Sequence, residues 1–344
     1  LGGRSLLAVR LMSEIEAQFA VKIPLVALFQ DATVEHLATL IQKRDNLSGF
    51  SPLVALQPEG DKPPFFCVHG ITGDVLWFAE LAQLLGPDRP FFGLQARGLD
   101  GQQPPFDQIE AMAAYYIDQI RRIQPEGPYF LGGASFGGNV AYEMAQQLQA
   151  QGQQIALLVM FDNTPANLPR PVEGRGRLPT KLKSTVKQLG TLSYRLSDLP
   201  KRNPAEIWAR IQRELRVVTK GAARRLNADR STLDRVDAGD IIDYAAELPE
   251  YRRRLIEVHY QAMANYYPLP YTGSMTIIKA RGRPIFDADD PETGWRMLVS
   301  GSIDVAVVPG SHEGMFREPH VRELARVLSA RLATAETSIV SLTI

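Results

Sequence analysis

The sequence predicts an α/β fold on a mostly parallel sheet, and two observations carry that prediction. From Ser51 onward, short apolar runs alternate with longer patterns of helical periodicity, the signature of strands joined by crossover helices. Inside that alternation, Gly133-Ala134-Ser135-Phe136-Gly137 stands between an apolar run and a helical pattern, a setting that lifts a serine above the strand ends. A chain of 344 residues has room for such a core and for further small units.

The first unit is helical. Leu6, Leu7, Val9, Leu11, Ile15 and Phe19 recur at helical spacing, residues 23–29 predict a short helix opened by Pro24, and Thr33 caps a helix through residues 37–41. Periodicity then gives way to Asp, Asn, Ser and Gly, a linker composition. The expected division is a small helical domain over 1–45, a linker over 46–52 and an α/β domain over 53–344. In that domain strands are predicted at 53–56, 64–68, 91–94, 129–132, 155–161, 275–279 and 303–308. Helices are predicted at 75–85, 109–123, 138–151 and 318–333. The alternation lapses between 163 and 268, so residues about 166–268 are read as a helical insertion. From Arg170 to Arg235 that insertion holds 17 Lys or Arg against 6 Asp or Glu. This is either a positive surface for an acidic partner or, the reading that sequence favours, a set of solvated helix faces.

Composition narrows the function. Apolar residues make up 45% and charged residues 22%, with 38 basic against 38 acidic side chains, which argues against disorder and against nucleic acid held by bulk charge. The longest apolar runs, 111–117 and 155–161, have seven residues each, well short of the roughly 20 that span a bilayer, so no membrane partner is expected. A single cysteine, Cys67, leaves no internal disulfide and no multi-cysteine metal site, and fits a reducing cytoplasm. Within Phe65-Phe66-Cys67-Val68 it reads as a small buried side chain.

The chemistry centres on Ser135. A sharp strand-to-helix turn needs small residues on both sides, which Gly133 and Gly137 supply, and it sets the Phe136 N–H at the positive end of the following helix, where an oxyanion would develop. A second oxyanion donor is expected from the loop after an earlier strand, and the Ile71 N–H in Val68-His69-Gly70-Ile71-Thr72-Gly73 fits that place. Histidines stand at 36, 69, 259, 312 and 320. Chain order in this kind of site is serine, acid, histidine, so His69 is read as shaping its loop. His312, released from the strand at 303–308 by a Pro309-Gly310-Ser311 turn, is preferred as base over His320, which reads as the first turn of the last helix. For the acid, Asp162 ends a strand, whereas Asp287, Asp289 and Asp290 lie in a later polar loop; residue chemistry prefers Asp162 and leaves the others open. Trp77 and Phe78 fit either an acyl tunnel or helix core.

These residues resemble the C-terminal pair of carrier domain and type I thioesterase that ends nonribosomal peptide and polyketide assembly lines, an α/β-hydrolase fold with a helical lid. Leu1-Gly2-Gly3-Arg4-Ser5-Leu6-Leu7 is similar to the carrier motif whose serine bears 4'-phosphopantetheine, so the resemblance implies that cofactor, covalent on Ser5, and no metal. Arg4 departs from the His, Asp or Asn usual before that serine. The first helix of a carrier is not seen, which implies a truncated carrier and a chain that is the tail of a larger synthase. Phe92-Gly93-Leu94-Gln95-Ala96-Arg97-Gly98, the Ser135 motif and Phe161-Asp162 follow the family's order, and the resemblance makes Asp162 the acid. It implies release of a carrier-bound peptidyl or acyl thioester, by hydrolysis or macrocyclisation. The implied partners are upstream synthase modules and a phosphopantetheinyl transferase. The competing expectations are a stand-alone or proofreading hydrolase and an inactive docking module.

Overall fold

The computed structural model describes residues 33–43, 50–167, 237–282 except 243, and 291–343, with scattered positions between 11 and 23. Ser5, the predicted helix at 24–29, the basic stretch 170–235 and Asp287, Asp289 and Asp290 lie outside the described residues. Near the N-terminus helix α1 (Val34–Lys43) is present. Its Leu37 packs with Ile15 and Ile23, flanked by Val21, Leu40 and Ile41.

The main domain is a seven-stranded sheet in the order β1-β3-β2-β4-β5-β6-β7. The strands are β1 (Leu53–Gln57), β2 (Phe65–Val68), β3 (Phe91–Leu94), β4 (Tyr129–Ala134), β5 (Ile155–Phe161), β6 (Met275–Gly282) and β7 (Ile303–Ser311). β1 runs antiparallel to β3, and every other pairing is parallel. The helices are α2 (Ala79–Leu84), α3 (Ile109–Ile120), α4 (Phe136–Ala150), α5 (Glu250–Asn265), α6 (Pro291–Trp295) and α7 (Val321–Thr343).

Alternation along the strands decides which helix covers which face. Phe66 and Val68 of β2, with Leu131 of β4, pack beneath α3 and α4, against Ile109, Met112, Tyr116, Val140 and Met144. Phe65 and Cys67 point the opposite way, with Phe130 and Phe161, onto Leu81 of α2 and Leu324 and Leu328 of α7. α3 turns Ile109, Met112, Ala113, Tyr116, Ile117 and Ile120 to the sheet, the stripe expected of a helix on one face. α4 is buried on nearly all sides from Phe136 to Ala145. No helix among the described residues is long and apolar enough to cross a membrane.

Among the element boundaries that differ from expectation, three lie close to the serine turn or to His312. The helix expected at 75–85 divides into a 3₁₀ turn, Leu76–Phe78, followed by α2. The helix after the serine starts at Phe136, not at residue 138. Pro309, Gly310 and Ser311 form no turn: β7 continues through them, because Gly310 takes φ +99 and a register irregularity lets Ser311 pair with Gly282. The stretch from 237 to 268 contains α5 and the 3₁₀ turns Ala238–Asp240 and Ala245–Glu247.

Candidate active site

Ser135, Asp162, Ile71 and His312 all lie at the carboxyl ends of parallel strands, where α/β folds place their ligands. Ser135 follows β4, Asp162 follows β5, the loop carrying Ile71 follows β2, and His312 follows β7. β4 is flanked by β2 and β5, with Gly133 opposite Val68 and Ala134 opposite Phe161.

Ser135 has φ 52 and ψ −120, a conformation that a residue with a β-carbon adopts at a cost of roughly 1–3 kcal/mol. The surroundings hold it there. The Ser135 N–H donates to the Phe161 carbonyl at 3.0 Å, while the Ser135 carbonyl accepts from the Gly138 N–H at 3.0 Å and from Asn163 Nδ2 at 2.6 Å. The two motif glycines answer close backbone approaches: a β-carbon on Gly133 would collide with the Gly137 carbonyl, and one on Gly137 with the His69 carbonyl. The Phe136 N–H thus opens a helix of 15 residues at its positive end.

Asp162 is also in a left-handed conformation, φ 46, and its side chain is 2% exposed. Its main-chain N–H donates to the Ile278 carbonyl at 2.8 Å, and its carboxylate accepts from the Ala280 N–H at 3.1 Å on Oδ1 and from His312 Nδ1 at 2.7 Å on Oδ2. With Nδ1–H donating to that carboxylate, the neutral His312 ring carries its lone pair on Nε2, the tautomer a general base needs. Its side chain is 38% exposed. His320 lies just ahead of α7, its N–H on the Arg317 carbonyl, and its ring faces Gly310.

The loop after β2 is fixed by two buried imidazoles. His69 Nδ1–H donates to the Gly70 carbonyl at 2.5 Å, and its Nε2 faces the Tyr116 hydroxyl at 2.8 Å. Burial holds the His69 ring down at about 4, against the smaller upward pull of its Gly70 bond, so the ring is neutral at pH 7. His259 of α5, unassigned by sequence reasoning, donates Nδ1–H to the Ile71 carbonyl at 2.8 Å. The ring stacks on Phe136 at 4.7 Å and on His69 at 5.1 Å. Burial, and then the neighbouring His69, lower it to about 3. Asn163 was likewise missed; its one sequence signal is its place directly after Asp162. Phe78 is fully buried in the core, with Trp77 stacked on it and against Phe316, so this pair is core packing. Cys67 is fully buried in β2, and burial pushes its thiol up. Among the described residues no group of three or more His, Cys, Asp or Glu is placed to hold a metal ion.

Comparison with known proteins agrees with this fold. The family model described as Thioesterase domain matches residues 63–332, and the one described as Phosphopantetheine attachment site matches residues 1–41. A dimodular nonribosomal peptide synthase of Bacillus subtilis (strain 168) is 31% identical over 333 residues, 96% of this chain but 13% of that protein. Indigoidine synthase of Dickeya dadantii (strain 3937) is 43% identical over 160 residues, 46% of this chain and 11% of that protein. The chain therefore spans only a small part of the curated relatives it matches. Among solved structures, a holo four-domain nonribosomal peptide synthetase bound to AMP and glycine is 25% identical with a TM-score of 0.56, over 96% of this chain and 24% of that one. The NocB thioesterase domain, in covalent complex with a fluorophosphonate nocardicin G analogue, shares the fold at 23% identity and a TM-score of 0.52, over 82% of this chain and all of that one. With its seven-stranded sheet, its strained serine turn and a family match over residues 63–332, the chain belongs to the thioesterase domain family of α/β-hydrolase fold, preceded by a phosphopantetheine attachment domain.

Proposed function

We propose that this chain is the release domain of an assembly-line synthase, cleaving a carrier-bound peptidyl or acyl thioester through an acyl-Ser135 intermediate. One observation carries the reading: the buried Asp162 carboxylate grips His312 Nδ1 at 2.7 Å, at the sheet edge that holds Ser135 in its strained turn. Ser135 Oγ attacks the thioester carbonyl and its proton passes to His312 Nε2. Asp162 stabilises the imidazolium without taking the proton. The N–H groups of Ile71 and Phe136 receive the charge on the tetrahedral oxygen. As the C–S bond breaks, His312 protonates the leaving sulfur, restoring its own neutral state. Water, or an internal hydroxyl or amine of the acyl chain, then gives its proton to His312 and attacks the ester; as the bond to Ser135 Oγ breaks, His312 returns that proton to the serine oxygen, releasing an acid or a macrocycle.

In this reading residues 1–45 are the carrier, 46–52 the linker and 53–344 the thioesterase, with about 166–268 as its lid. Ser5 would hold 4'-phosphopantetheine, whose thiol supplies the thioester linkage. A phosphopantetheinyl transferase and upstream modules would be its partners. The synthase relatives and the attachment-site match support that context. The test is turnover of an acyl N-acetylcysteamine thioester: the native chain releases thiol, Ser135→Ala does not, and equal rates would overturn the reading.

A further inference from the structure

We propose that His259 is a positioning residue for the oxyanion-binding amides, tying helix α5 to the two residues that would donate them. This rests on the assignment of Ile71 and Phe136 made above, and adds to it a residue 188 positions from Ile71 in the chain.

The geometry is specific. The Ile71 N–H belongs to the Gly70–Ile71 peptide, whose carbonyl is held by His69 Nδ1 at 2.5 Å and by the Gly73 N–H at 3.0 Å. In a trans peptide N–H and C=O point in opposite directions, so fixing the Gly70 oxygen on one side aims the Ile71 amide to the other. The next peptide is fixed in turn by His259 Nδ1–H on the Ile71 carbonyl, 2.8 Å away. With both flanking carbonyls anchored, the loop has little freedom to rotate the intervening amide.

His259 also reaches the second donor. Its ring lies nearly parallel to Phe136, 4.7 Å between centroids at 17°, and nearly parallel to His69, 5.1 Å at 21°. His69 and Phe136 are themselves stacked at 5.7 Å and 19°. Three rings thus form one block, with His259 fully packed at 1% exposure. Tyr116 closes the far side of His69. α5 also packs Ile256 with Ala238, Ile242 and Ala245, and Ile71 contacts that same cluster. Displacement of α5 would therefore move both donors together. His259 Nε2 has no partner among the described residues, so Nδ1 is the atom through which the ring acts.

The experiment compares His259→Asn, whose amide nitrogen stands where Nδ1 stood, with His259→Gln, whose amide falls at the Nε2 position, and with His259→Phe, which keeps the stack and removes the donor. Each is assayed with an acyl N-acetylcysteamine thioester, with thermal unfolding alongside. Positioning predicts that the Phe and Gln variants lose kcat by about tenfold to a hundredfold, the range for misplaced catalytic groups, with KM within about twofold, while the Asn variant recovers most of kcat. Native kcat in the Phe or Gln variant overturns the proposal, as does an Asn variant no better than Gln at equal thermal stability. If the Phe variant does not fold, the Asn and Gln pair carries the same comparison. Ser135→Ala separates the two levels: if it turns over like the native chain, the release mechanism fails, whereas full activity in His259→Phe beside an inert Ser135→Ala removes only the role of His259.

Discussion

Replacing Asp162 by Asn changes the site at a single atom while leaving its frame in place. Asp162 sits at φ 46, a left-handed conformation that Asn tolerates as well as Asp, so the backbone of the turn is kept. Of the two main carboxylate contacts, the Ala280 N–H on Oδ1 at 3.1 Å is preserved if the Asn oxygen faces it. The amide NH₂ then faces His312 Nδ1 at the position now 2.7 Å from Oδ2, and two donors cannot share that contact. The imidazole must give up its Nδ1 proton and carry it on Nε2, where it can no longer accept from Ser135. A side chain 2% exposed leaves no access for water to repair the pairing. An aspartate-to-asparagine change that imposes the wrong tautomer lowers kcat by about 10⁴ in serine proteases, so a fall of about 10³–10⁴ is expected here, about 4–5.5 kcal/mol of transition-state stabilisation. Stability should fall by only about 1–2 kcal/mol, the scale of one altered hydrogen bond. Steady-state turnover of an N-acetylcysteamine thioester, with urea unfolding in parallel, measures both. A fall of less than tenfold in a folded variant would refute the orienting role of Asp162.

Further outcomes follow from the same contacts. Gly133→Ala or Gly137→Ala sets a β-carbon against backbone and should lower the unfolding free energy by about 3 kcal/mol or more, read by urea titration or by loss of soluble protein. His69 and His259, held at about 4 and about 3 by burial, stay neutral in the folded state while the unfolded chain takes up protons below about pH 6.5. Stability is therefore unaffected above that pH and falls as pH drops from there toward 4, by about 4 kcal/mol for the pair between pH 7.5 and 5. Urea midpoints across that range should show it, and His259→Asn should remove about half of the slope. Ser5→Ala should abolish mass gain on treatment with a phosphopantetheinyl transferase and coenzyme A, while hydrolysis of a soluble thioester continues unchanged.

Much of this arrangement is readable from local sequence because it is locally encoded. The strands at 91–94 and 155–161 have the predicted bounds, since uninterrupted apolar runs ended by polar or turn residues mark a strand inside a covered sheet. The serine turn is readable for the same reason: Gly133 and Gly137 are required by contacts within a few residues and with the neighbouring strand end. Helix α3 stops at Ile120 rather than 123, because Arg121 and Arg122 leave the packed stripe and Ile123 is half exposed. The end of β7 was misread because Pro309 and Gly310 signal a turn in isolation, whereas pairing with β6 carries the strand through. His259 carries no local mark at all. It sits in an amphipathic helix like any half-polar residue, and its contacts with Ile71, His69 and Phe136 exist only once α5 is laid over the loop after β2.

The proposed release passes through a covalent acyl group on Ser135, which intact-protein mass spectrometry followed by peptide mapping detects. Rapid quenching of the chain with a slowly released acyl N-acetylcysteamine thioester, or reaction with a fluorophosphonate, should add one group per molecule on the peptide containing Ser135. In Ser135→Ala that addition should vanish although the fold is kept. Addition at another residue, or undiminished labelling of Ser135→Ala, would contradict the mechanism.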